Sequence, residues 1–64
     1  MINVGEMLSE CRKREKLTLE EVSLRSGVNP ATISRIEHTT NCKVDTLEKI
    51  LNAIGYELEI VPME

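Results

Sequence analysis

Several features of common protein classes are scarce or missing in this chain of 64 residues. Its two cysteines, Cys11 and Cys42, lie far apart without a CxxC or a Cys/His pairing. Their spacing gives no basis for a zinc site or a dense disulfide framework, and a reducing compartment is the simpler interpretation. The sequence also has no His/Ser/Asp set, no carboxylate pair in a recognisable pocket context and no phosphate-cradling glycine loop. We therefore expect neither an enzyme nor a bound metal or cofactor.

Long apolar runs are missing as well. No stretch approaches the roughly 18 apolar residues that a membrane span requires. Residues 1–10, MINVGEMLSE, lack the basic, apolar and small-residue regions of a signal peptide. We therefore expect a cytoplasmic protein. A chain of this length forms one domain near the lower limit of independent stability, because its surface is large relative to its volume, so an additional source of stability is expected.

The third missing feature is net positive charge, since the formal net charge at pH 7 is −3. An acidic average argues against a general polyanion binder. The charge is unevenly distributed, however: residues 1–10 carry −2, residues 11–43 carry +3 and residues 44–64 carry −4. The positive charge is therefore concentrated in the middle of the chain, around the segment SGVNPATISRIEH.

Two helices are predicted in the first half of the chain. Asn3 and Glu6 have the spacing of a capping box, which predicts helix 1 over residues 4–15. Its apolar stripe has helical periodicity and consists of Val4, Met7, Leu8 and Cys11. Thr18 and Glu21 repeat the capping-box spacing and predict a second helix of about eight residues, which ends at a tight turn at Gly27.

Two more helices follow the turn. Asn29 and Pro30 are typical of an N-cap and a first helical position, so helix 3 is predicted from Pro30 to about Glu37. A polar loop follows, and the spacing of Asp45 and Glu48 predicts a further capping box at the start of helix 4, which ends at Gly55. Helix 3 turns only two apolar side chains inward, Ile33 and Ile36, and its outward residues are Ala31, Thr32, Ser34 and Arg35.

The C-terminal segment GYELEIV changes to a period of two, which predicts a half-buried strand over residues 56–61. A single strand cannot satisfy its own backbone. Its partner is either residues 2–4 of the same chain or the same strand of a second copy.

The segment LEEVSLRSGVNPATISRIE, residues 19–37, resembles the XRE family of phage and bacterial repressors, which includes lambdoid Cro and repressor. The resemblance covers about residues 4–54. It implies a mainly α, four-helix, lambda-repressor-like helix-turn-helix domain that spans residues 1–64. It also implies that Ser23 is small because two helices cross there, that Gly27 forms the turn, and that Arg12 pairs with Glu37. The C-terminal part is similar to antitoxin repressors of persistence-type toxin-antitoxin modules, in which a strand after helix 4 pairs across a dimer axis.

The function implied is a repressor that binds double-stranded DNA at inverted-repeat operators as a homodimer, with helix 3 in the major groove. The alternative is an antitoxin that neutralises a protein toxin and regulates its own operon. The resemblance also implies that the protein is of bacterial or phage origin and is associated with the nucleoid. Candidates for base contacts are Arg35, Thr32, Ala31, Ser34 and Asn29. Candidates for phosphate contacts are Thr18, Thr39, Thr40, Asn41, Lys43, Lys13 and Arg14, and those for the dimer interface are Tyr56, Leu58 and Ile60. His38 is interpreted as a helix-end residue rather than a ligand.

Overall fold

The computed structural model describes residues 3–63, which form four helices. They are α1 (Val4–Arg14), α2 (Leu19–Ser26), α3 (Pro30–Thr39) and α4 (Val44–Ala53). None of the helices in this part of the chain is long and apolar enough to cross a membrane.

The predicted starts of the first three helices are confirmed. The side chain of Asn3 accepts a hydrogen bond from the backbone N–H of Glu6 at 2.9 Å. Thr18 and Glu21 form both bonds of the capping box, and the side chain of Asn29 caps α3 by accepting from the N–H of Ala31. These bonds satisfy N–H groups that the first turn of a helix leaves without a partner.

Two other boundaries differ from the prediction. The capping box at Asp45 and Glu48 is wrong, because α4 begins earlier: the N-cap is Lys43, whose backbone is extended, and Asp45 lies inside the first turn. Helix α3 continues two residues beyond Glu37 and ends where Thr40 takes the left-handed conformation, with φ 62°. His38 and Thr39 are therefore helical rather than part of the loop.

The core draws on every helix and on the connection between α1 and α2. Its buried apolar residues are Leu8, Leu17, Val22, Ile33, Ile36, Leu47, Ile50 and Ile54. Gly27 ends α2 in the left-handed conformation, with φ 76°, as predicted. Ser23 is half-buried. Ser26 is buried instead, and its hydroxyl accepts from the N–H of Val28 at 3.2 Å.

Gly5 brings α1 directly against the end of α3. A Cβ atom at this position would lie 2.3 Å from the carbonyl oxygen of Ile36 and 2.8 Å from that of Glu37. Both neighbours are backbone atoms, so a side chain there has no room. Gly5 therefore sets how closely α1 approaches the last two turns of α3.

The C-terminal segment forms no strand within the described part of this single chain. Tyr56 and Leu58 are half-buried against the core, whereas the side chain of Ile60 is 93% exposed. The alternative of pairing within the chain is wrong at Val4, because Val4 belongs to α1; Ile2 lies outside the described residues.

Candidate nucleic-acid interface

The burial of Ile33 and Ile36 fixes which face of α3 points outward. Ala31 and Arg35 lie on the opposite side and are exposed, as is Asn29 just before the helix. Thr32 and Ser34 are half-buried at the flanks of that face. The five candidates for base contacts therefore lie on the outward face of α3 or at its flanks, between the N-cap and Arg35.

A cavity of about 420 Å³ lies between α3 and the loop that follows it, and we call it the loop cavity. Its lining residues are Thr32, Arg35, Ile36, Asn41, Cys42, Lys43 and Thr46. Nη1 of Arg35 donates a long hydrogen bond to the backbone oxygen of Asn41, at 3.4 Å. The fold thus brings two base-contact candidates, Thr32 and Arg35, beside two phosphate-contact candidates, Asn41 and Lys43.

The electrostatics of the loop cavity favour an anion. Arg35 and Lys43 are its charged lining residues, and both are cations. The amino terminus of α4 lies at the same cavity, and its N-cap, Lys43, makes no side-chain capping bond. The first N–H groups of α4 are therefore left without a side-chain acceptor, at the positive end of the helix dipole. A phosphodiester group has the charge and the acceptor oxygens that this arrangement suits.

Sequence reasoning missed Cys42 and Thr46 at the loop cavity. The sequence analysis places the cap of helix 4 at Asp45 and assigns no role to Thr46. Once the helix starts at Val44, Thr46 lies in its first turn and lines the loop cavity. The signal that could have located it is the lack of a capping side chain at Lys43, which leaves this helix end open.

The ion pair implied by the family resemblance is confirmed, and it holds α3 against α1. Nε of Arg12 lies 2.7 Å from Oε2 of Glu37, and Nη2 lies 3.0 Å from Oε1. Arg12 also donates to the backbone oxygen of Leu17 at 3.0 Å. The hydrogen bond to Glu37 raises the pKa of the Arg12 guanidinium. Arg12 is thus occupied in packing the helices, and it is not a free cation for DNA.

Two of the threonines assigned to phosphate contacts already donate their hydroxyl hydrogens inside the protein. Thr39 donates to the backbone oxygen of Arg35 at 2.7 Å. Thr40 donates to Oδ1 of Asn3, also at 2.7 Å, which ties the end of α3 to the start of α1.

Thr18 is exposed at the start of α2, where its hydroxyl accepts from the N–H of Glu21. Its own backbone N–H donates to the Glu21 carboxylate, and this bond lowers the pKa of that carboxyl. Lys13 and Arg14 are exposed at the end of α1, and neither lines the loop cavity.

The candidates for the dimer interface lie in a different region. A groove of about 340 Å³, which we call the tail groove, is lined mainly by apolar side chains of α1, α4 and the C-terminal segment. Tyr56 and Leu58 line it, and the hydroxyl of Tyr56 donates to Oε2 of Glu15 at 3.0 Å. Partial burial, and then this bond, raise the pKa of the Tyr56 hydroxyl. Ile60 lies beyond the groove lining and is exposed.

Residues 3–63 contain no group of three or more His, Cys, Asp or Glu side chains that could hold a metal ion. The interface is instead built from hydroxyl, amide and cationic groups.

Of three comparisons with known proteins, the one with family models agrees with this geometry. A search of curated proteins and a search of solved structures gave no match. The helix-turn-helix family model matches residues 8–61, which include the two helices, the glycine turn and the loop cavity described above. A match over most of the chain, together with the geometry of α2 and α3, places this protein in the XRE-type helix-turn-helix family of DNA-binding regulators.

Proposed function

We propose that this protein is a sequence-specific transcriptional repressor that inserts α3 into the major groove of DNA. The observation that carries the proposal is the pairing of two features on one side of the molecule. One is the outward face of α3, with its small and polar side chains, and the other is the cationic loop cavity at the edge of that face. Base edges and a backbone phosphate lie next to each other in a major groove, so one docked helix meets both.

Arg35 is the principal base-reading residue in this proposal. Its guanidinium is exposed and carries five N–H donors, of which one makes the long bond to Asn41. The remaining donors suffice for a bidentate contact with O6 and N7 of guanine. Ala31 and Thr32 offer methyl groups to thymine, and Ser34 and Asn29 offer short polar contacts at the margins of the helix.

Backbone contacts are assigned to the loop cavity and its surroundings. Asn41, Lys43 and Thr46 surround the open amino terminus of α4, which suits one phosphate. Thr18, at the start of α2, presents a second helix amino terminus, and Lys13 and Arg14 add exposed cations at the end of α1. Thr39 and Thr40 contribute less, because their hydroxyl hydrogens are engaged within the protein.

The matched pair Arg35→Ala and Arg25→Ala tests the reading role. Both substitutions remove one exposed arginine, but Arg25 lies on α2, outside the proposed contacts. In vitro selection followed by binding titrations should show that Arg35→Ala weakens specific binding about 5- to 150-fold and relaxes the preference at one base position. Arg25→Ala should keep the sequence preference. Equal affinity of the wild type for all sequences would contradict sequence-specific regulation.

The active form in this proposal is a homodimer. Each monomer presents few cations, and few neutralised phosphates give weak binding. Two copies on an inverted repeat double the contacts and place their α3 helices about 34 Å apart. The second copy also supplies a strand partner for residues 56–61. In the single chain Ile60, Val61 and Met63 are 93%, 68% and 98% exposed, which is apolar surface available for such pairing.

Ile60→Lys and Val61→Lys test the dimer. In a strand, Ile60 lies on the same face as Tyr56 and Leu58, whereas Val61 lies on the opposite face. Both side chains are exposed in the monomer, so neither change disturbs its core. Sedimentation should show a monomer for Ile60→Lys and a dimer for Val61→Lys. A monomeric wild type at the concentrations used for DNA binding would refute the dimer.

The exposed apolar C-terminal segment also favours a second candidate function, an antitoxin that holds a protein toxin. The segment borders the tail groove, which gives another protein a continuous apolar surface. Co-expression with the product of the neighbouring gene tests this candidate. A stable complex that Ile60→Lys abolishes, with relief of toxicity in the wild type, would support it; independent migration of the two proteins would exclude it.

A further inference from the structure

We propose that His38 is a further DNA contact of α3, made to a backbone phosphate by the protonated imidazole. The inference rests on the proposed function, because it requires α3 to lie in the major groove. It assigns a binding role to a residue whose sequence position indicates only the end of a helix.

The position of His38 on α3 is the first reason. Residues three, four and seven apart share one helix face, so His38 continues the line of Ala31, Ser34 and Arg35. It is exposed, and it lies nearly opposite the buried Ile33 and Ile36. Because α3 extends through Thr39, His38 belongs to this outward face and not to the loop.

The distance along the helix decides which part of the DNA His38 meets. Seven residues separate it from Ala31, which corresponds to roughly 10 Å at the rise of an α-helix. A recognition helix contacts base edges with its amino-terminal residues. A side chain two turns further along therefore lies past those base edges, near the wall of the groove. That wall is the phosphodiester backbone.

The hydrogen bonding of the imidazole determines which form makes the contact. Nδ1 of His38 lies 2.7 Å from the backbone oxygen of Ser34. A carbonyl oxygen only accepts, so Nδ1 carries a hydrogen in this arrangement. The neutral ring therefore presents an unprotonated Nε2 with a lone pair, which repels a phosphate oxygen. Protonation of Nε2 converts it into a charged donor and creates the contact.

The charged groups around the end of α3 are compatible with this change. On α3 itself, Glu37 is turned inward and paired with Arg12 of α1, and Arg35 lies on the outward face. Glu6 follows Gly5 at the place where α1 contacts α3 and is exposed. Lys43 of the following loop lines the loop cavity. Added positive charge at His38 therefore joins Arg35 and Lys43 in facing the DNA.

The test reports on a single imidazole, because His38 is the only histidine of the chain. Operator binding is measured by fluorescence anisotropy at pH 6 and pH 8, over a range of salt concentrations, for the wild type, His38→Gln and His38→Lys. We expect wild-type affinity to rise on the order of tenfold at the lower pH, since a dimer gains two charge-assisted contacts. The salt dependence should steepen by about 1.8 in the log-log slope.

The two variants separate a binding role from a merely structural one. His38→Gln should lose most of the pH dependence, whereas His38→Lys should bind tightly at both pH values because its charge is permanent. Circular dichroism is recorded as a control for the folding of both variants. The proposal is overturned if His38→Gln keeps the wild-type pH dependence, or if wild-type affinity falls at pH 6, which would indicate neutral Nε2 accepting from a base. Absence of specific binding by the wild type at both pH values would overturn the proposed function itself.

Discussion

Substitution of Gly5 by alanine should destabilise the protein, although alanine is the better helix former. Within a helix the exchange normally gains about 1 kcal/mol. Here the added Cβ would lie 2.3 Å from the oxygen of Ile36, where an ordinary contact is at least 3.4 Å, so the backbones of α1 and α3 must separate by about 1 Å. Overpacking costs about 1 to 3 kcal/mol, and two rigid backbone neighbours place this case at the upper end. The net loss is about 2 kcal/mol.

Thermal and urea unfolding followed by circular dichroism measure this loss. For a domain of this size, a loss of about 2 kcal/mol corresponds to a decrease in Tm of roughly 8 to 16 °C. Glu10→Ala is the matched control, because Glu10 is an exposed residue of the same helix, and its Tm should change by only a few degrees. A Gly5→Ala protein that melts at or above the wild-type temperature would refute the close approach of α1 to α3.

Three further predictions concern other contacts. Arg12→Met leaves the Glu37 carboxylate, which is 6% exposed, without its partner, and urea unfolding should show a loss of about 3 kcal/mol; an unchanged midpoint would contradict a structural pair. Glu21→Gln should reveal the pH dependence of the capping box. The hydrogen bonds with Thr18 lower the folded-state pKa of Glu21, so its contribution to stability is present above the ordinary pKa of a glutamate and is lost as the pH falls through the folded value. The Tm difference between wild type and variant should therefore disappear in acid. Lys16→Gly should raise the free energy of unfolding by about 0.5 to 1 kcal/mol, because Lys16 has φ 58°, a conformation that glycine adopts without strain. A decrease would mean that the Lys16 side chain stabilises the fold by more than its backbone strain destabilises it.

The elements that sequence reasoning predicted well are those specified by local chemistry. Asn3, Thr18 and Asn29 cap helices because their short side chains reach the N–H groups of the following turn. Helix 4 was misplaced because its true cap, Lys43, uses no side chain, whereas Asp45 mimics a capping residue from within the first turn. Helix 3 was predicted too short because threonine in the left-handed conformation, as at Thr40, leaves no signal in the sequence.

Part of the candidate site was also predictable from local sequence pattern. The outward residues of α3 follow from helical periodicity once Ile33 and Ile36 are identified as buried. The loop cavity does not follow, because it joins segments whose relative position depends on tertiary packing. Gly5 was also missed, since its importance comes from backbone atoms more than thirty residues away. The strand predicted at residues 56–61 is not formed in the described part of the chain, because an alternating pattern does not specify a pairing partner.

The way α3 is anchored has a consequence for the proposed reading of DNA by its outward side chains. Its attachments to α1 involve the backbone of Ile36 and Glu37, the Glu37 carboxylate and Thr40, all in the last turns of the helix or just after it. The side chains of Ala31 and Arg35, by contrast, face outward and contribute nothing to the core. In the proposed function, specificity and stability are therefore encoded at separate positions. A new operator preference would then be acquired by exchanging outward residues, while the support that orients them stays the same.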